Sequence, residues 1–174
     1  MNAELVLPTA RLQRSFLAAM EEFTAEGRFN DETMIGRDMA RFSPTWETPL
    51  GFASFLAKLE SVRYTPPAAN FVCSTTWWWA EGDEFIGRIA IRHELNERLL
   101  DFGGHIGYDI RSSRRREGHA TRMLAATLPE ARKLGIDRVL ITCQPENVAS
   151  RKVIEANGGV FEDQRGDRLR FWIG

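Results

Sequence analysis

The spacing of apolar positions changes character twice along this chain. Leu12, Phe16, Leu17, Met20 and Phe23 recur at helical intervals behind Thr9, a capping residue, and Gly27 closes the element. From Asn30 to Glu47 the pattern dissolves into a polar stretch holding Asp31, Glu32, Asp38 and Ser43-Pro44, long enough to suggest a lid or binding loop. Thr48-Pro49 then reads as cap and first helical position for Phe52, Phe55, Leu56 and Leu59, and Pro66-Pro67 ends that helix.

Beyond Asn70 the period shortens. Asn70 to Ala80 is rich in β-branched and aromatic residues, Glu81-Gly82-Asp83 supplies a turn, and Glu84 to Arg92 continues as a second strand. In such a strand Trp77 and Trp79 share one face and Trp78 takes the other. A short helical piece, Leu95 to Asp101, leads to Gly103-Gly104. His105 to Arg111 then alternates Ile106, Tyr108 and Ile110 on one face.

The stretch from Ser112 to Gly135 holds the next helix, with Met123, Leu124, Leu128 and Leu134 among its apolar positions and Gly135 as its end; Pro129 inside it predicts a kink or break. Arg138 to Thr142 is a short apolar strand of the kind buried on both faces. Asn147 caps a helix to about Ala156, Asn157-Gly158-Gly159 stops it, and Val160 to Ile173 offers two strands around Arg165-Gly166-Asp167. The order implies a mixed sheet covered by helices.

The 174 residues suit one domain spanning 1–174, and 43% hydrophobic residues supply a core. With 23 Lys+Arg against 24 Asp+Glu, a broadly basic nucleic-acid binder is disfavoured. Cys73 and Cys143 fit neither a disulfide framework nor a metal site. No signal peptide and no membrane-length apolar run is visible, so a cytoplasmic protein with no membrane partner is expected.

The chemistry concentrates between Tyr108 and Arg122. Arg111, Arg114, Arg115, Arg116 and Arg122 cluster where a strand gives way to a helix, and Gly118 sits in that helix's first turn. A helix start presents unpaired amides and partial positive charge, and a glycine there lets a phosphate approach closely. Arginines add forked hydrogen bonds to phosphate oxygens. A diphosphate site at this junction is the physical reading. The GxxxxGK[ST] and GxGxxG patterns are absent, which weakens nucleoside triphosphates and dinucleotides.

Arg115-Arg116-Glu117-Gly118-His119-Ala120 has the form RxxGxA and directly follows an apolar strand. It resembles the acyl-CoA motif of the GNAT superfamily of N-acetyltransferases. The run from Arg138 to Gly159 looks like that family's next strand and Asn-capped helix. The resemblance implies an α/β (α+β) fold with a single mixed, mostly antiparallel sheet of six to seven strands, flanked by helices on both faces. That sheet is splayed at the acyl-CoA site. It implies acetyl-CoA as co-substrate and no metal. The pantetheine arm pairs with the strand at Tyr108, Ile110 and Arg111. The remaining cofactor contacts fall on Arg115, Arg116, Glu117, Gly118, His119, Ala120 and Thr121, with Asn147 and Ser150 at the far end of the arm. Many relatives also pair as homodimers.

Acetyl transfer to an amine requires removal of a proton from a group whose pKa is near ~10.4. His105 and Asp109 are the candidate bases, with Glu94 behind them. A backbone amide in Asp109–Arg111 is placed to stabilise charge on the thioester oxygen. Relatives often carry a Tyr acid on the Asn-capped helix, where this chain has Ile154; Ser150 and Cys143 are the substitutes. A thiol of pKa near ~8.5 can leave unaided. The expected activity is N-acetylation of a small-molecule or peptide amine, and Asp31, Glu32 and Asp38 lean towards a cationic acceptor. The Ile154 departure motivates an alternative, a non-catalytic acyl-CoA-binding sensor. A phosphate-backbone binder using the arginine run would instead show steep salt dependence. An indole of Trp77–Trp79 lining the acceptor site is a further option, set against plain core packing.

Overall fold

A computed structural model describes residues 2–29 and 33–174. Asn30, Asp31 and Glu32, and with them two of the three acidic positions of the polar stretch, lie outside the described residues. The chain runs β1 (Glu4–Val6), α1 (Gln13–Ala25), α2 (Met34–Phe42), α3 (Pro49–Ser61), β2 (Ser74–Glu81), β3 (Glu84–Arg92) and α4 (Glu97–Asp101). It continues with β4 (Ile106–Ile110), α5 (His119–Lys133), β5 (Val139–Cys143), α6 (Val148–Ala156), β6 (Val160–Arg165) and β7 (Arg168–Ile173).

The strands form a ladder ordered β1-β2-β3-β4 and another ordered β5-β7-β6. Every pairing within the two ladders is antiparallel. One isolated bridge, Gly104 to Ile141, joins them. The expected splay is therefore the boundary between two hydrogen-bonded sheets. β4 pairs with β3 along one edge and leaves its other edge without a strand partner beyond that bridge.

The four-stranded sheet divides two cores, and the tryptophans follow their alternation. Trp79 packs with Ile89, Ile106, Met123, Leu124 and Phe171 on one side, with Trp77 partly buried against them. Trp78 packs with Phe16, Phe52, Phe55 and Phe85 on the other. Phe16 and Trp78 stack with ring centroids 5.0 Å apart. All three indoles are thus placed in or against core, leaving none lining the cavity described below.

Three local expectations are corrected. The stretch read as a polar loop contains α2, capped by the Thr33 hydroxyl accepting from Gly36 N at 3.0 Å. Ile35, Met39 and Phe42 bury one stripe, which Arg37, Asp38 and Arg41 disguise in the sequence. Pro129 does not break α5. The helix continues because Met123, Leu124 and Ala131 hold it in one core on both sides of the proline, which outweighs the ~3 kcal/mol a helical proline costs. Finally α5 begins at His119, later than expected. Ser112–Arg114 form a 3-10 turn, and Gly118 is the cap residue with φ of 75°.

Candidate active site

A cavity of about 1710 Å³ wraps around the unpaired edge of β4. Alternation along β4 divides its lining: Ile106, Tyr108 and Ile110 face the core shared with α5 and α6, and Gly107 and Asp109 point to the opposite side. The cavity accordingly has two flanks, one at the start of α5 and α6, the other under α2 and α3.

On the first flank the chain turns sharply from β4 into α5. Arg115 is extended, Arg116 takes φ of 65° and Gly118 φ of 75°. A non-glycine residue in the left-handed region is uncommon, so this bend is held by its surroundings. The first helical bond runs from Arg122 N to Gly118 O at 3.1 Å. No acceptor among the described residues takes the amides of residues 116–121, and Arg116, Gly118, Ala120 and Thr121 line the cavity.

The surrounding arginines are occupied. Arg111 lies buried against Glu22 and donates to Phe85 O, away from the cavity. Arg114 is shared among Glu81, Glu84 and Glu117. Arg115 holds both oxygens of Glu26 and donates from Nε to Ile110 O at 3.0 Å. Arg122 donates to Glu117 O. Arg116 makes no described ion pair. The expectation of several arginines forked onto phosphate therefore contracts to Arg116 and backbone amides; the others brace the loop. Glu117 faces Arg114, and the His119 ring is buried against Trp79, with Nδ1 accepting from the indole at 3.1 Å.

Glu22 shows the strength of this bracing. Burial opposes its charge, yet hydrogen bonds from Arg111, Ser113 N and the Ser112 and Ser113 hydroxyls bring its pKa down to about 2.

Across the gap, Asn147 caps α6 by accepting from Ser150 N at 3.0 Å, so its Oδ1 is spent structurally while its edge lines the cavity. The Tyr108 hydroxyl meets Ser150 Oγ at 2.8 Å, bridging β4 to α6. Burial raises the Tyr108 pKa to about 12, against the lowering effect of its hydrogen bond with Ser150. Ile154 is fully buried, and Cys143 is a buried thiol whose pKa burial pushes up. Tyr108 is the polar group that reading along α6 alone overlooked. Its alternation signal was visible; its reach to Ser150 required the packing of β4 on α6.

The structure gives His105 a different position from that expected of a base. Its Nδ1 accepts from Leu140 N at 2.9 Å and its own N–H donates to Leu140 O at 2.7 Å, so it clamps the two sheets together. Burial, with Arg92 adding to it, lowers its pKa to about 4. The imidazole is neutral, but its free lone pair is already used. Glu94 is exposed and does not line the cavity. Asp109 does line it, paired with Arg28.

The second flank carries cations. Asp38, buried at 3% exposure, accepts from Lys58 at 2.6 Å and Arg88 at 2.8 Å. These two cations hold its carboxyl below the usual range despite burial. Asp38 is thus already saturated, and the support it was expected to give a cationic acceptor is withdrawn. No group of His, Cys, Asp and Glu among the described residues is arranged to hold a metal ion, and no described helix is long and apolar enough to cross a membrane.

The sequence model described as acetyltransferase (GNAT) domain matches residues 20–160. A search of curated proteins finds no match. Among solved structures, the ribosomal-protein-S5-alanine acetyltransferase from Vibrio fischeri aligns at TM-score 0.68 and 15% identity, over 99% of this chain and 92% of that one. The microcin C7 self-immunity acetyltransferase in complex with acetyl-CoA and AMP aligns at 0.66 and 11%, over 98% and 91%. Mycobacterium smegmatis RimJ in complex with CoA-disulfide aligns at 0.63 and 19%, over 99% and 85%. At such identities these structures share the fold. The domain match, which spans most of the sequence and contains the β4–α5 bend, establishes that the chain belongs to the GNAT acetyltransferase family.

Proposed function

We propose that the chain transfers an acetyl group from acetyl-CoA to a primary amine. The observation that carries this reading is the bend at Arg116–Thr121, whose amides open into the cavity beside an unpaired strand edge. Those amides, with Arg116, suit a diphosphate, and the β4 edge offers backbone donors and acceptors to an amide-rich arm. Tyr108, Ile110 and the N-terminal end of α6 at Asn147 and Ser150 line the same space. Acetyl-CoA supplies an activated acyl group with a good leaving thiol.

Tyr108 donates a hydrogen bond to the departing sulfur. Burial, which raises its pKa to about 12, keeps the phenol protonated and Ser150 fixes it, while a thiolate of pKa near ~8.5 departs without taking that proton. Ser150 positions Tyr108 and relays its hydrogen bond. Asp109, on β4 itself, lines the cavity paired with Arg28, and is the carboxylate suited to orienting the incoming amine or accepting its proton through water. His105 is left out of proton transfer because Leu140 occupies its acceptor nitrogen.

Ile154, wholly buried where relatives often place a Tyr, favours one second reading, a sensor that binds acyl-CoA without turnover. Calorimetric titration with CoA, followed by thiol release from acetyl-CoA across an amine panel, separates the two. Binding with release is expected. Absence of CoA binding overturns both readings, and binding with no release on any amine leaves the sensor.

A further inference from the structure

The flank of the cavity beneath α2 and α3 holds more positive charge than its described carboxylates balance. Arg88 and Arg92 stand four residues apart on the same face of β3, and both line the cavity. Between them the ladder pairs Ala90 with Gly107, two positions without bulk. Of the two, Gly107 lines the cavity, and it raises no side chain there. Arg92 lies over Gly107: a side-chain carbon built there would sit 3.6 Å from its Nη2.

Neither guanidinium is satisfied by the groups around it. Arg88 is buried at 3% exposure; one nitrogen reaches Asp38, while Nη2 has no hydrogen-bond partner among the described residues. Among the described residues Arg92 has no carboxylate partner: Nη1 donates to the carbonyls of Gly103 and Gly104 at 2.9 Å, and Nη2 meets the Met34 sulfur at 3.5 Å. Its charge is disfavoured first by burial and then by Arg37, Arg98 and Arg88, which bring its pKa to about 10. Asp38 is shared with Lys58 and Asp109 is taken by Arg28. A buried guanidinium nitrogen with no acceptor costs free energy unless a ligand supplies one. Crowded arginines on one wall of a cavity are the usual means of holding a carboxylate or phosphate.

We propose that this flank is an oxyanion pocket, formed by Arg88, Arg92 and Arg98, that selects acceptor amines carrying a carboxylate or phosphate. The pocket reads the acceptor's charge from the α2–α3 side of β4, and the acyl donor occupies the α5–α6 side. The assignment of this anion to the acceptor rests on the acetyl-transfer reading; the presence of an anion pocket does not.

The test is a calorimetric titration of matched amines into protein saturated with CoA. The amines share one skeleton and differ in bearing a carboxylate, a phosphate, an uncharged amide or a second amine. The anionic members are expected to bind at least tenfold more tightly than the amide. Arg92→Gln is expected to remove most of that preference. Arg98→Glu, at an exposed rim position, is expected to reduce it with an unchanged unfolding midpoint. Equal affinity across the panel, undetectable binding of the anionic members, or a preference intact in both variants overturns the pocket. Should CoA itself fail to bind, the acetyl-transfer reading fails. The same panel titrated into the free protein then still decides whether the anion pocket exists.

Discussion

The two flanks of the cavity treat charge in opposite ways. At the start of α5, Arg111, Arg114 and Arg115 are each matched by glutamates, and the groups left open are peptide amides. Under α2 and α3, Asp38 serves two cations, and the partners of Arg92 among the described residues are carbonyls and a thioether. A cluster of arginines in sequence is therefore a poor guide to where positive potential is available. Pairing decides it. Among the described residues, the flank that looks most basic along the chain has its arginines matched by glutamates, and the α2–α3 flank keeps guanidinium nitrogens that no described carboxylate takes.

The contrast is breakable by substitution. The largest effect is expected from Asp38→Ala, which strands Lys58 and Arg88 and should cost about 3–5 kcal/mol in denaturant unfolding. An unchanged midpoint would show that the buried triad carries little of the fold. On the other flank, Gly118→Val forces a branched side chain into φ of 75° and covers the amides. CoA affinity is expected to fall at least about a hundredfold, roughly 2.7 kcal/mol, in calorimetry.

Tyr108→Phe removes the bridge to Ser150 and tests the hydrogen-bond donor to the leaving sulfur. A fall in kcat of about tenfold with little change in CoA affinity is expected, modest because a thiol of pKa ~8.5 leaves with little help. Equal kcat in the variant would return the donor role to water. Smaller still is Arg115→Gln, which loosens an exposed pair with Glu26 and should change stability by under about 1 kcal/mol. Its effect on CoA binding is expected to be several-fold, through the bend it braces.

Acid should act at the junction before it acts on the bracing. His105 has a folded pKa of about 4 against an ordinary 6.5, so the unfolded chain binds the extra proton first. Stability is expected to fall as pH drops from 6.5 towards 4. Glu22, at about 2 against 4.5, adds a second loss between those values as its carboxylate is protonated. Denaturant midpoints measured across this range should flatten above pH 5 in His105→Gln while keeping the lower slope.

Much of the architecture was legible in the sequence. Strand alternation placed Trp78 opposite Trp77 and Trp79, and the motif around Gly118 located the sharp turn. What was hidden has a common cause. The α2 stripe is interrupted by Arg37, Asp38 and Arg41, residues whose burial or partnering depends on β3 and α3, which no local pattern reveals. The fates of His105 and of the arginines likewise turn on contacts dozens of residues away, as with Leu140 for His105 and Glu22 for Arg111. Spacing predicts elements; it does not predict who spends whose hydrogen bonds.

The junction at Gly104 makes β4 a measuring rod. A methyl group there would lie 2.3 Å from Leu140 O, so the two sheets meet at a fixed apex, and the bend at Arg116 fixes the opposite end. β4 contributes five of the residues between them, about 16 Å of that path at ~3.3 Å per residue. For a donor held at that bend as proposed, β4 sets how far its arm reaches. Inserting or deleting one residue of β4 would change the path by a single rise and turn the side chains beyond it to the opposite face.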